Sequence, residues 1–150
     1  MTAAAKRIKT KYLGANTGAI THGDTVLTSD KWTVQRDITI IGVQVWLEAT
    51  IVAASLGEVG GFAGGVCVTQ APAFNADSEL VQAKIKSYWL ATALTAYDQV
   101  NSESFMWPEG YGKDIDDGEV LSLLLSGSSE QTADDTTFII GQAMVHYVDR

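Results

Sequence analysis

The side chains able to do chemistry near neutral pH are few and scattered. They are two histidines, His22 and His146, and a single cysteine, Cys67. Nucleophilic catalysis needs a nucleophile, a base and an orienting group within mutual reach. His22 stands in the loop-forming run His22-Gly23-Asp24, and His146 alternates with Val145 and Tyr147 as a strand-face residue does. Cys67, set among Gly65, Val66 and Val68, reads as a small buried hydrophobe. As the sole cysteine it allows neither an intramolecular disulfide nor a cysteine-based zinc site. No Gly-x-Ser-x-Gly elbow is present. No catalytic residue is expected, and the chain reads as not an enzyme.

The carboxylates point the same way. Glycoside hydrolysis needs two of them across a groove, but Asp24, Asp30, Asp77, Asp98, Asp134 and Asp135 all fall in turn-like stretches. Asp114, Asp116, Asp117 and Glu119 crowd into one short run, and calcium takes such hard oxygen donors. The run departs from the EF-hand loop, however, with Gly at 118 and Glu at 119, and a tight turn accounts for Asp116-Asp117-Gly118. No metal is expected. Gly57, Gly60, Gly61, Gly64 and Gly65 evoke a phosphate loop, yet no Lys-Ser/Thr follows and Glu58 would repel phosphate. No cofactor is expected.

Aromatic residues offer a carbohydrate-binding alternative. Trp32, Trp46, Trp89, Trp107, Tyr88 and Tyr111 could stack on sugars if several shared one exposed face. Most lie within apolar strands and read as core. Trp107 and Tyr111, flanking Pro108-Glu109-Gly110, are the candidates for an exposed aromatic surface.

The elements that would hold these residues are strands. In Asp37 to Glu48, the residues Thr39, Ile41, Val43, Val45 and Leu47 alternate with Ile38, Ile40, Gly42, Gln44, Trp46 and Glu48. The first set is β-branched or aliphatic and is assigned to the core; the second is mixed and only partly covered. Thr25–Thr28, Lys31–Gln35 (after a turn at Ser29-Asp30), Val66–Thr69, Glu103–Trp107, Glu119–Leu125 and Thr136–Val148 read as further strands, and Val81–Thr95 as containing a long strand or a hairpin arm. Tyr97–Ser102 reads as a connection, and Ala49–Gly57 as either a continued strand or a short helix. The fold class is all-β: an antiparallel β-sandwich of jelly-roll type with an extended N-terminal arm. The arm covers residues 1–24 and a single sandwich domain covers 25–150.

Charge limits the partners. The net charge is −8, but Lys6, Arg7, Lys9 and Lys11 supply four of ten basic residues. Residues 12–150 therefore carry 6 basic and 18 acidic side chains, a net of −12. Such a body repels nucleic acid and anionic membranes. No segment has the length of uncharged apolar sequence that a secretory signal or a membrane span requires. The arm reads either as a fraying terminus or as an extended segment lying on a neighbouring subunit. In the second reading Ile8, Tyr12 and Leu13 are anchors, and Lys6, Arg7, Lys9 and Lys11 meet the acidic body. Deleting residues 1–20 is then expected to weaken assembly and leave the sandwich folded.

Three stretches carry a resemblance: Trp32–Val43, Met106-Trp107-Pro108-Glu109-Gly110-Tyr111-Gly112, and Asp117–Leu123. Together with a short basic Ala/Thr-rich arm, they resemble small jelly-roll virion proteins of tailed phages and related viruses, such as decoration, cement or minor capsid proteins. The resemblance implies a homo-oligomer, often a trimer, that stabilises or decorates a capsid and does no enzymatic work. Its partners would be copies of itself and a major capsid protein, with assembly in the host cytoplasm and residence in the virion. A carbohydrate-binding or receptor-binding β-sandwich module is the alternative.

Overall fold

The computed structural model describes residues 7–18, 20–21, 25–52, 57, 59–69, 79–90, 97–129 and 136–150. Its strands, in chain order, are β1 (Lys9–Asn16), β2 (Ile20–Thr21), β3 (Thr25–Thr33), β4 (Ile38–Val52), β5 (Val59–Thr69) and β6 (Glu79–Leu80), then β7 (Ile85–Leu90), β8 (Tyr97–Met106), β9 (Lys113–Ile115), β10 (Val120–Ser129) and β11 (Thr136–Asp149). One sheet runs β1-β11-β4-β8, with β2 on β11 and β9 on β4; the other runs β3-β10-β5, with β6 and β7 both on β5. Every pairing is antiparallel.

With the short β2, β6 and β9 set aside, the remaining strands nest from the outside inward. The first main strand pairs with the last (β1 with β11), β3 with β10, β4 with β8 and β5 with β7. The chain is thus one long folded hairpin wrapped into two sheets, which is the jelly-roll topology. The expected sandwich is the observed one.

Both sheets turn aliphatic residues inward. Val43, Val45, Leu47, Ala49 and Ile51 of β4 face Leu121, Leu123 and Leu125 of β10, and all are buried. The sheets interlock at two glycines. A β-carbon on Gly64 of β5 would lie 2.9 Å from both Leu47 methyls. One on Gly141 of β11 would lie 3.0 Å from Leu47 Cδ2 and nearer still to Leu125. Each leucine therefore fills the space that a missing side chain leaves on the opposite sheet, and well-packed interiors tolerate no overlap there.

The central strand departs from its expected faces at one point. Ile38 and Ile40 are buried although they alternate out of phase with buried Val43, Val45 and Leu47. In the ladder with β11, His146 opposes Gly42 and Tyr147 opposes Ile40, so Ile41 has no opposite residue. This extra residue is a β-bulge, and it shifts the period-two alternation by one. Ile38 and Ile40 turn into the core, and Thr39 turns outward, where its hydroxyl donates to Asp114 Oδ1 (2.7 Å). The Ile41 carbonyl accepts from Trp107 N–H (2.9 Å), so the bulge leaves that acceptor satisfied.

Other boundaries move because pairing overrides local turn chemistry. Ser29-Asp30 is no turn: β3 runs through it, in register with β10 from Thr25 to Thr33. Tyr97–Ser102 is the first half of β8, paired with β4, and β4 itself continues to Val52. Gly60–Gly65 lies inside β5, with Gly60–Gly64 paired on both sides and Gly65 paired with β10, so those glycines form a strand and not a phosphate loop. Within the stretch expected as an arm, Lys9–Asn16 is strand β1 of the same chain's sheet, and Leu13 is 3% exposed in that chain's core. Deleting residues 1–20 would strip β11 of its neighbour on one side and remove Leu13 from the core, so a folded sandwich is no longer the expected product.

The interlock sets the first prediction. Gly141→Val should cost about 1–3 kcal/mol through overpacking, and Leu47→Ala about 2–5 kcal/mol through the cavity left behind. Urea unfolding measures both, and a neutral Gly141→Val would contradict the packing described.

Candidate functional site

The candidate surface is a groove on the side of the first sheet that faces away from the core. Alternation along its strands, anchored by buried Leu13, Ala143 and Val45, turns their neighbours outward. The register aligns those neighbours in rows across four strands. Tyr12, Met144, Gln44 and Ser104 form one row; Gly14, Gln142, Trp46 and Ser102 form the next. Over these rows lies a groove of about 760 Å³, within the size range of small-ligand sites. Tyr12 stands 70% exposed on β1, and Trp46 is half-buried on β4. At one end Thr10 Oγ1 and His146 Nδ1 share a hydrogen bond of 2.9 Å. His146 is thus a face residue of β11 tied to the adjoining strand.

The residues singled out from sequence are dispersed. Lys6 lies outside the described residues. Arg7 and Ile8 are exposed ahead of β1. Lys9 pairs with Asp149 at 2.7 Å, and Arg36 reaches the same carboxylate at 3.1 Å. The Lys11 ammonium sits 5.7 Å from the centre of the Trp32 ring, which in turn lies 5.1 Å from the Tyr147 ring. Tyr12 points into the groove, whereas Leu13 points into the core. Trp107 is half-buried, packed on the core and set edge-on to Phe105 with centroids 4.8 Å apart. Tyr111 is 70% exposed on the turn that follows.

Sequence reasoning missed that Trp46 and Tyr12 share one face of the sheet, in neighbouring rows. Tyr12 and Trp46 are far apart in the chain, and only β11 between their strands brings them onto one face. The mixed face already noted on the central strand was the available signal.

The acidic run closes the chain end. Arg150 donates to the Ile115 carbonyl (2.9 Å) and to Asp116, with Asp37 3.7 Å and Asp114 3.9 Å away. Asp117 N–H donates to Asp37 Oδ1 (2.9 Å), and Asp116 N–H donates to Glu119 Oε2 (3.0 Å). These carboxylates act as partners for a guanidinium and for backbone amides. Cys67 is fully buried, and burial pushes its thiol up to about 11, far from a reactive thiolate.

The two outer edges of the first sheet differ in charge. Arg7, Lys9 and Lys11 lie on and just before β1. β8 carries Asp98 and Glu103 and no cation along its length. Among the described residues no strand pairs with the outer side of either. Large apolar side chains stand exposed nearby, with Val100 and Met106 on β8, and Tyr88 and Leu90 on β7.

No family model matches the chain, and no curated protein does. Among solved structures it is similar to a CocE/NonD family hydrolase from Staphylococcus aureus, with 11% identity and TM-score 0.44. That match covers 98% of this chain and 34% of the hydrolase chain. A structure of Desmodium yellow mottle tymovirus matches with 10% identity and TM-score 0.31, over 97% of this chain and 85% of that one. An infectious bursal disease virus particle matches with 12% identity and TM-score 0.38, over 99% of this chain and 42% of that one. The chain spans about a third of the length of the hydrolase and about two fifths of the bursal disease virus chain.

The Lys9–Asp149 pair predicts an acid response. The hydrogen bond and charge of Lys9, with Arg36 adding its charge, hold Asp149 below its ordinary 3.8. A lowered carboxylate value stabilises the fold fully above the unfolded value, and that contribution is lost as pH falls through the folded value. Hydrogen exchange at Lys9–Lys11 should therefore accelerate in that acid window ahead of β4. Asp149→Asn should show the same fast exchange at neutral pH. Unchanged protection in the variant would remove the pair from the account of how β1 is held.

Proposed function

We propose that this chain is a structural virion protein, without catalytic activity, that forms homo-oligomers and stabilises or decorates a capsid. The observation that supports this reading is the pair of unlike edges on one sheet, β1 basic and β8 acidic, neither paired on its outer side among the described residues. Side chains do reach across: Asp30 of β3 accepts from Gly14 N–H on β1, and Gln99 of β8 donates to Ser87 and the Tyr88 carbonyl on β7. A long free edge is a template for another chain, and natural edges are usually blunted by lysine, proline or a bulge. β1 carries lysines, whereas β8 offers ten residues with none of these features.

Like edges would repel and unlike edges attract. The pairing that follows is head to tail, β8 of one copy beside β1 of the next, and it closes into a ring where the rotation allows, a trimer being the expected case. Exposed Val100 and Met106 on β8 would be covered in that contact. The mechanism is passive: buried apolar and strand-edge surface raises the cost of opening the shell. The remaining partner in this reading is a major capsid protein, with the virion as location and the host cytoplasm as the place of assembly.

Light scattering tests the reading. The expected mass is a multiple of the 16.0 kDa chain, decreasing at high salt as exposed charge pairs are screened. Glu103→Lys should shift the protein toward monomer, and adding Lys11→Glu should restore the larger species. A strict monomer across the accessible concentration range would overturn the proposal.

A further inference from the structure

We propose that the groove on the outward face of the first sheet binds a neutral glycan, a short oligosaccharide laid across the strands and stacked on Trp46. Four adjacent strands span about 14 Å, so the ligand the groove accommodates is a chain of rings and not a single small molecule. Its lining combines two chemistries that a sugar needs together. Trp46 and Tyr12 supply π faces for the C–H face of a pyranose ring, an electrostatic match because the ring carries negative charge on its face. Gln44, Gln142, Ser102 and Ser104 supply amides and hydroxyls, which both donate and accept and so suit a run of sugar hydroxyls. Among the described residues, none of these polar side chains is taken up by another hydrogen bond of the fold.

Two further observations narrow the ligand. The one charged side chain lining the groove is the Glu103 carboxylate, and no lysine or arginine lines it, since Lys9 and Lys11 sit at the other phase of β1 with Leu13 and serve Asp149 and Trp32. Nothing there would neutralise a phosphate, sulfate or carboxylate, and the chain's net charge of −8 repels anions over longer range. Gly14 keeps the floor open beside Gln142 and Trp46. Its φ is not positive, and an added β-carbon would meet only the Gly141 carbonyl oxygen at 3.8 Å. The fold itself therefore tolerates a side chain at position 14, and the groove is what that side chain would fill.

The test is calorimetry and affinity electrophoresis of the full chain. The probes are neutral gluco-, manno-, xylo- and galacto-oligosaccharides beside sialylated, sulfated and uronic-acid glycans. At least one neutral series should bind. Trp46→Ala should weaken it by about tenfold or more, in keeping with the worth of one aromatic contact together with its buried area. Gly14→Leu should abolish binding with an unchanged melting temperature, and Tyr111→Ala should leave binding intact. Should Trp46→Ala fail to fold, Gly14→Leu and Gln142→Ala decide the matter on a folded chain. Binding to charged glycans only, binding that survives Gly14→Leu, or silence across the neutral panel overturns the proposal. Silence with Trp46 protected by a second copy or a protein partner gives the face to that partner instead.

Discussion

The two sheets meet through a pair of leucines that occupy the places of two absent side chains. Leu47 reaches toward Gly64 across the sandwich, and Leu125 reaches toward Gly141. This contact fixes how far apart the sheets lie and how they slide on one another. It also couples the strands that close each sheet, because Gly141 pairs with Leu47 and Gly64 pairs with Leu125 in their own ladders. A shift of one residue in either ladder would put a β-carbon where a leucine methyl now sits. Register in both sheets is thus enforced from the core, where dispersion contacts are dense and overlap is costly.

The bulge at Ile41 is the second constraint. It lets one strand serve two regions with opposite phase: Ile38 and Ile40 seal one end of the core, while Val43 onward faces the second sheet. Downstream of it, Gln44 and Trp46 are turned outward onto the face that carries the groove. Gly42 sits at the switch, where a β-carbon would collide with the Met106 side chain on β8. The chain end braces the same region. Arg150 ties the β9 segment and its following turn to Asp37, and Asp149 takes both Lys9 and Arg36. First and last strands are thereby held together by pairing and by charge at the end where the jelly roll closes.

Edge pairing and glycan binding would draw on the same strands in different ways, and Glu103 belongs both to the β8 edge and to the groove lining. Edges offer backbone hydrogen bonds and net charge, which suit another chain of the same kind. The face offers rings, amides and hydroxyls in fixed rows, which suit a polyhydroxylated ligand. Extending the sheet from copy to copy would leave each face open and repeat it around the assembly, so binding at several faces would add avidity without any new contact.

Local composition determined that this chain makes strands: β-branched and aliphatic alternation, few prolines and the glycine positions were all readable residue by residue. The antiparallel sandwich, the burial of Cys67 and the strand placement of His146 followed from neighbours within a few positions. The fate of the N-terminal segment did not, since Lys9–Asn16 becomes a strand only by meeting β11 at the far end of the chain. The inward turn of Ile38 and Ile40 did not either, because a bulge exists only between two paired strands. Asp37–Glu48 had a readable core half, but which of its outer residues meet Tyr12, Gln142 and Ser102 was decided by register over long sequence separations. Alternation is a property of one strand; a face, an edge and a groove are properties of several, and only the folded sheet assembles them.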